Sequence, residues 1–363
     1  MSAPSSDALD GAFAINGRFF GQPTTGVQRY AREVVAALDG LLSASGRSGT
    51  VLAPQGEGDI PAMRAIRVRR AGPAGGHIWE QAVLPARWRG PLLNLCNTAP
   101  VVRSEQVVCI HDANVFRMPD SYSRSFRTLY RTLQPMLARR SSRIATVSRD
   151  AARQLAQHLT VKAAAVAVLP NGHEHALRWK RDAATVFDAT PQERPFVLLL
   201  GSRARHKNAA LMLGLAGALD AMGLDLLVAG SRASIFAADR HVEAANVRWL
   251  GGVSDDDLAL LFSRALCLTF PSFTEGFGLP ILEAMALGCP VISSDRASMP
   301  EVCGDAALMA APDDPEAWRA QVALLAASET LREELRGRGR LQAAKYSWTA
   351  TARGYLDLFD GAA

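Results

Sequence analysis

The chain has 363 residues, 48% of them hydrophobic and 21% charged, with a formal net charge of +5. A chain of this length buries a sizeable core in one or two domains, and the composition excludes disordered, collagenous and disulfide-framework classes. The charge is uneven: residues 1–172 hold 21 Lys and Arg against 11 Asp and Glu, and residues 173–363 hold 19 against 24. No nucleic-acid-binding motif accompanies the basic half, which leaves an anionic membrane face, a phosphate-bearing acceptor or a solvated arginine surface as its meaning.

In chain order, Ala12–Asn16 reads as a first strand, followed by a glycine loop and an amphipathic helix with apolar Val27, Tyr30, Ala31, Val34, Val35 and Leu38. Thr25 and Gly26 stand at its N-terminus, as hydroxyl caps or as part of an anion site. Residues 50–68 hold two strands, and the W-E-Q-A-V-L-P and N-L-C-N-T-A-P runs (79–85, 94–100) give short helix, strand and turn. Val107–Ile110 is a buried strand with His111 and Asp112 at its carboxyl end. Residues 123–140 form a basic helix with arginines at 124, 127, 131, 139 and 140, which Pro135 is expected to kink or divide. Ile144–Val147 is a strand, Ser148 caps a helix, and Val166–Leu169 is a strand ending in Pro170-Asn-Gly172.

Residues 174–194 are polar and aperiodic. Phe196–Leu200 is a continuous apolar strand of the kind covered on both faces, running into G-S-R-A-R-H-K-N (201–208) and a helix. This is a glycine loop at a helix start, with Lys207 as a point charge for phosphate. Strands follow at Leu226–Gly230 and Val247–Gly252; the acidic run Asp255–Asp257 precedes a helix and reads as capping, not metal ligation. Residues 265–302 hold strand, loop, helix and strand, with Pro280 at the helix start and Gly288 past its end. Glu275 lies in the loop beside Gly276 and Gly278, and Glu283 about one turn into the helix. Such a loop suits a diphosphate, and its carboxylates suit sugar hydroxyls; complementation of the helix dipole is the competing explanation. Two surface helices over 315–344 and a last helix to about Phe359 close the chain.

The run S-F-T-E-G-F-G-L-P-I-L-E-A-M-A-L-G-C-P-V-I-S-S-D (272–295) resembles the signature of the family-four retaining glycosyltransferases. T-V-S-R-D, L-P-N-G, the glycine loop with Lys207, V-S-D-D-D-L and Tyr346-Ser-Trp348 extend the resemblance over most of the chain; 79–85 and 94–100 resemble a bacterial mannosyltransferase-like branch. The resemblance implies an α/β protein of GT-B fold, two Rossmann-like domains facing across a cleft. The first (1–172) would bind the acceptor, the second (173–345) the nucleotide sugar, and 346–363 would pack back across the cleft.

It implies Lys207 on the donor diphosphate, helped by N–H groups around Phe277, Gly278 and Leu279, with Gly201 and Val253 lining the donor site. Glu283 would take the ribose hydroxyls, Glu275 a hydroxyl of the transferred sugar, and His111 a cleft position as contact or polar donor, its ring oriented by Asp112. Many members carry an arginine directly after the glycine; here Ser202 stands there, and Arg203 or Arg205 would substitute. The expected activity is retaining, metal-independent transfer of a sugar, with GDP-mannose as donor from the branch resemblance, to a glycan or lipid-linked acceptor. A non-catalytic binding or scaffold protein and a GT-B epimerase are the other readings. Five scattered cysteines (96, 109, 267, 289, 303), no signal pattern and a longest apolar stretch broken by Asp220 and Asp225 fit a cytoplasmic protein, peripheral at most to a membrane.

Overall fold

The computed structural model describes residues 13–361 except 57, 73–74, 189–190, 202–203 and 231–243. Seven strands make the first sheet: β1 (Ala14–Asn16), β2 (Gly49–Ala53), β3 (Ile66–Arg70), β4 (Leu92–Asn94), β5 (Gln106–Cys109), β6 (Arg143–Thr146) and β7 (Val166–Val168), in the order β3-β2-β1-β4-β5-β6-β7. Six make the second: β8 (Phe196–Leu200), β9 (Asp225–Ala229), β10 (Val247–Gly251), β11 (Cys267–Phe270), β12 (Val291–Ser294) and β13 (Leu308–Ala310), in the order β10-β9-β8-β11-β12-β13. Every pairing between these strands is parallel, beside one isolated antiparallel bridge, Gly230 to Gly251. Parallel sheets are covered on both faces, and β8 and β11 accordingly carry almost wholly buried apolar runs. In both sheets the strand order reverses at one place, β1/β4 and β8/β11, and ligand crevices form at the carboxyl ends beside such reversals.

The longer helices are α1 (Gly26–Ala44), α2 (Arg124–Arg140), α3 (Arg149–His158), α4 (Asp255–Arg264), α5 (Leu279–Ala286), α6 (Pro315–Ala327), α7 (Glu329–Ala343) and α8 (Trp348–Asp360). Helix α2 runs through Pro135 unbroken, against the expected division: buried Leu133 and Leu137, on either side of the proline, hold the two turns to one core face. The segment 79–83 is a π-turn rather than ordinary helix, with Trp79 and Glu80 buried.

Helix α8 returns to the first sheet's side. Phe359 stacks on Phe13 at 4.7 Å, and the Tyr355 hydroxyl lies 2.9 Å from that of Tyr30 on α1. One buried apolar cluster therefore runs from Phe13 and Val34 through Phe270 and Phe277 to Trp348 and Tyr355.

Candidate functional site

The carboxyl ends of the two sheets meet at the 271–278 loop. Gly276 lies so close to the chain after β5 that a Cβ on it would sit 2.2 Å from the carbonyl oxygen of His111, so only glycine fits. Three consecutive loop carbonyls are held: Ser298 Oγ donates to Glu275 O (3.1 Å) and Phe277 O (2.9 Å), and Ser148 Oγ donates to Gly276 O (2.7 Å). Ser148 also caps α3, accepting from Ala151 N. Among the described residues, the backbone N–H groups of Gly276, Phe277 and Gly278 donate to nothing. Gly278, in the left-handed region at φ 101°, turns the chain into α5; Pro280 stands in its first turn and Gly288, at φ 74°, follows its end.

Between the sheets lies a cavity of about 280 Å³, lined by Thr25, Gly26, His111, Asp112, Lys207, Glu275, Phe277, Gly278, Leu279 and their neighbours. Lys207 ends a 3₁₀ turn after β8; its Nζ lies 2.7 Å from Glu275 Oε1 and over the Phe270 ring. Thr25 precedes α1, and its N–H donates to Gln28 Oε1. The cavity thus sets one ammonium, unengaged N–H groups and two carboxylates around a single space, a combination suited to a phosphorylated sugar.

His111 lines the cavity, where a contact role stays open to it, but its donor role and its orientation by Asp112 differ from expectation. The His111 Nε2–H donates to the Leu95 carbonyl at 2.8 Å, so the ring's proton is spent and Nδ1 is left as an acceptor. Burial lowers its pKa to about 4. Asp112 does not orient the ring: its Oδ1 accepts from Asn114 N at 2.8 Å, and burial pushes its pKa up to about 6.

Glu283 lies farther along α5, 5% exposed, with Oε1 accepting from His175 Nε2 at 2.9 Å and 3.8 Å from Arg29 Nε. Gly201 directly follows β8, donating its N–H to Ala229 O. Arg205 is exposed on the 3₁₀ turn, and Val253 is half-buried just before α4. Ser202 and Arg203 lie outside the described residues.

The acidic run divides its work. Asp257 caps α4 through Ser254 and accepts from Thr185 N and Val186 N, as capping predicts. Asp255 instead pairs with Arg29 (2.9 Å), and Asp256 accepts from Lys180 N. Residues not singled out in the sequence also line the cavity: Asn114, Tyr122, Asn171 and His206. Their elements are short or irregular, and no spacing marks them. On the first sheet, at the β1/β4 reversal, Arg18, Asn16 and His77 surround the buried Glu80 carboxylate.

Residues 181–342 match the family model described as glycosyl transferases group 1. The chain carries a group 1 glycosyltransferase domain. The 271–288 segment that holds Glu275 and Glu283 lies inside this glycosyltransferase domain, where the sequence resemblance placed it. The chain is 29% identical over 231 residues to the O-antigen chain mannosyltransferase RfbU of Salmonella typhimurium, covering 62% of each chain. It is 31% identical over 242 residues to the GDP-mannose:cellobiosyl-diphosphopolyprenol alpha-mannosyltransferase of Komagataeibacter xylinus, covering 63% of this chain and 59% of that one. The matches thus span less than two thirds of either relative. The sucrose-phosphate synthase structure from Thermosynechococcus elongatus superposes with a TM-score of 0.73 over 96% of this chain and 98% of that one, at 18% identity; at that identity the likeness is one of fold. The fold is GT-B.

Proposed function

We propose that this protein is a retaining glycosyltransferase that moves a hexose from a nucleoside-diphosphate sugar to a glycan or lipid-linked acceptor in surface polysaccharide synthesis. The observation that carries the reading is the cavity between the sheets, where Lys207 and three unengaged backbone N–H groups converge beside Glu275. Cleaving a glycosyl diphosphate builds charge on the leaving oxygens, and prearranged cationic and N–H donors stabilise that charge better than the ground state. Lys207 would leave Glu275 for the diphosphate, freeing the carboxylate for a hydroxyl of the transferred sugar. Glu283 would take the ribose.

His111, with its ring proton committed, would offer the sugar only the Nδ1 lone pair. GDP-mannose is the proposed donor, supported by the donor that the name of the Komagataeibacter relative carries. The acceptor would face the first sheet's carboxyl edge, and charge neutralisation by Lys207 and the N–H groups would make transfer independent of divalent metal.

A thermal-shift panel of GDP, UDP, ADP and dTDP, followed by turnover of the matching mannosyl or glucosyl donor in EDTA, tests the whole reading. The expected result is selective stabilisation by GDP, roughly 2.7 kcal/mol at one hundred times its Kd, and product formation without metal. Stabilisation by none of the four overturns the donor assignment. Binding without hydrolysis, transfer or epimerisation supports a scaffold instead, and recovery of activity only with Mg²⁺ or Mn²⁺ overturns metal independence.

A further inference from the structure

Three distant chain segments converge on Glu283. Trp348, the first residue of α8, donates its indole N–H to His175 Nδ1 at 3.0 Å. An indole nitrogen only donates, so Nδ1 must carry the lone pair and the imidazole proton sits on Nε2. That nitrogen lies 2.9 Å from Glu283 Oε1 and donates to it. All three side chains are buried, with relative exposures of 3%, 1% and 5% along the relay. Arg29 Nε also approaches Oε1, at 3.8 Å, while its guanidinium is held by Asp255. Both contacts fall on the same carboxylate oxygen. Oε2 takes part in no hydrogen bond among the described residues.

From this geometry we infer that His175, its tautomer fixed by Trp348, is the positioning residue for Glu283: it locks one carboxylate oxygen and leaves the other as the acceptor for a ribose hydroxyl of the donor nucleotide. A free carboxylate on a short helix turns about its terminal torsion, a broad and soft one, so both oxygens would otherwise share the ligand-facing position. The Nε2–H bond removes that freedom. The segment linking the two sheets (His175) and the returning helix (Trp348) thereby set the orientation of a side chain on a third element. The inference rests on the nucleotide reading proposed above, and the experiment separates the two.

The measurement is the affinity of the best bound of GDP, UDP and ADP, compared with its 2′-deoxy and 3′-deoxy analogues. The proteins are wild type, His175→Phe, His175→Gln and Trp348→Phe, each with its Tm recorded. Wild type should lose about tenfold or more on removal of one ribose hydroxyl, the cost of a hydrogen bond to a charged group. His175→Phe should bind the parent nucleotide more weakly and discriminate by less than about threefold. His175→Gln, whose amide N–H can replace Nε2–H, should recover most of the discrimination. Trp348→Phe, which keeps an aromatic ring but not the N–H, should fall between.

A merely structural role for His175 would lower Tm and weaken all three ligands by one common factor, and that outcome overturns the inference. So does undiminished discrimination in His175→Phe. Wild type that binds its nucleotide without discriminating removes the ribose role of Glu283 and the inference with it. Wild type that binds no nucleotide overturns the functional reading itself, a result distinct from the others.

Discussion

At the scale of single residues, the site is a question of which charge has a partner and when. Lys207 is paired with Glu275 in the structure, and in the proposed reaction it exchanges that partner for the leaving diphosphate. Lys207→Ala should therefore lower kcat as well as donor affinity, by at least about 10- to 150-fold for one charge-assisted bond. Glu275→Gln should lower kcat while nucleoside-diphosphate binding survives, because its proposed partner is the sugar that changes shape. Glu283→Gln should mainly raise donor KM. Steady-state kinetics with titration of the bare nucleotide check all three, and near-wild-type turnover of Glu275→Gln contradicts the assignment. His111 and Asp112 add a pH signature. The folded state holds the Asp112 proton more tightly than the unfolded one, so this group's contribution to stability falls as pH rises from 3.8 to about 6. His111 holds its proton less tightly when folded, so its contribution rises between about 4 and 6.5. The two neighbours oppose each other over the same window. Asp112→Asn keeps an acceptor for Asn114 N and removes the falling arm. Its Tm should exceed wild type at pH 7, by the equivalent of at most about 3 kcal/mol, and the gain should vanish below about pH 3.5. An equal shift at both pH values would contradict the burial of an unpaired Asp112 charge.

At the scale of elements, the 271–278 loop is pinned from two sides by serines and pressed against the end of β5 through Gly276. A methyl group there meets backbone, which cannot swing aside as a flexible side chain would. Gly276→Ala should displace the loop from His111 by some tenths of an ångström or more and cost roughly 100-fold in kcat, the penalty of a misplaced reacting geometry. The α5 core contacts remain, so circular dichroism should stay unchanged. Near-wild-type kcat would show that the loop's seat on β5 is not needed. Helix α2 presents a second element-scale case. Its buried face is Leu133, Gln134 and Leu137, while Phe126, Leu129 and Met136 are exposed among its arginines. A basic helix with an apolar outer stripe suits an anionic membrane surface. Arg124→Glu combined with Arg127→Glu should reduce co-sedimentation with anionic vesicles at low salt and leave binding to neutral vesicles unchanged. Equal recovery of wild type on both vesicle types counts against membrane contact.

At the scale of the whole molecule, the two sheets are drawn together by polar ties as well as by apolar burial. Arg29 pairs with Asp255, Arg178 with Glu33, and Glu301 accepts from Arg149 N and Asp150 N at the start of α3. The cavity between them, about 280 Å³, is open to solvent, and Glu283 lies outside its lining. Partly exposed ion pairs weaken in salt. Raising NaCl from low to molar concentration should increase the radius of gyration in small-angle scattering, and saturating nucleotide should restrict the spread of conformations at either salt. A radius independent of both would mean that the domains are locked by the apolar cluster alone.

Most of the strands, the parallel α/β class and the group 1 glycosyltransferase match are legible in the chain alone, because these rest on local signals: apolar runs, a proline at a helix start and glycines where the chain turns left-handed. Phe196–Leu200 reads as a buried strand and is one; the Pro280–Leu287 pattern lies within one residue of α5. Strand β13, only three residues long, and the division of the 209–221 helix into two short pieces left no comparable pattern. Only the tertiary structure decided which polar atoms are spent and which are available. A lone histidine after a strand does not disclose that its N–H goes to Leu95, nor does an acidic triplet that reads as capping disclose that one of its carboxylates instead reaches Arg29 across the cleft. His175 and Trp348 stand 173 positions apart and meet only because α8 crosses back to the first sheet's side. Partners so distant are fixed by how the two sheets pack, and a hydrogen bond's direction depends on a few tenths of an ångström that no residue spacing encodes.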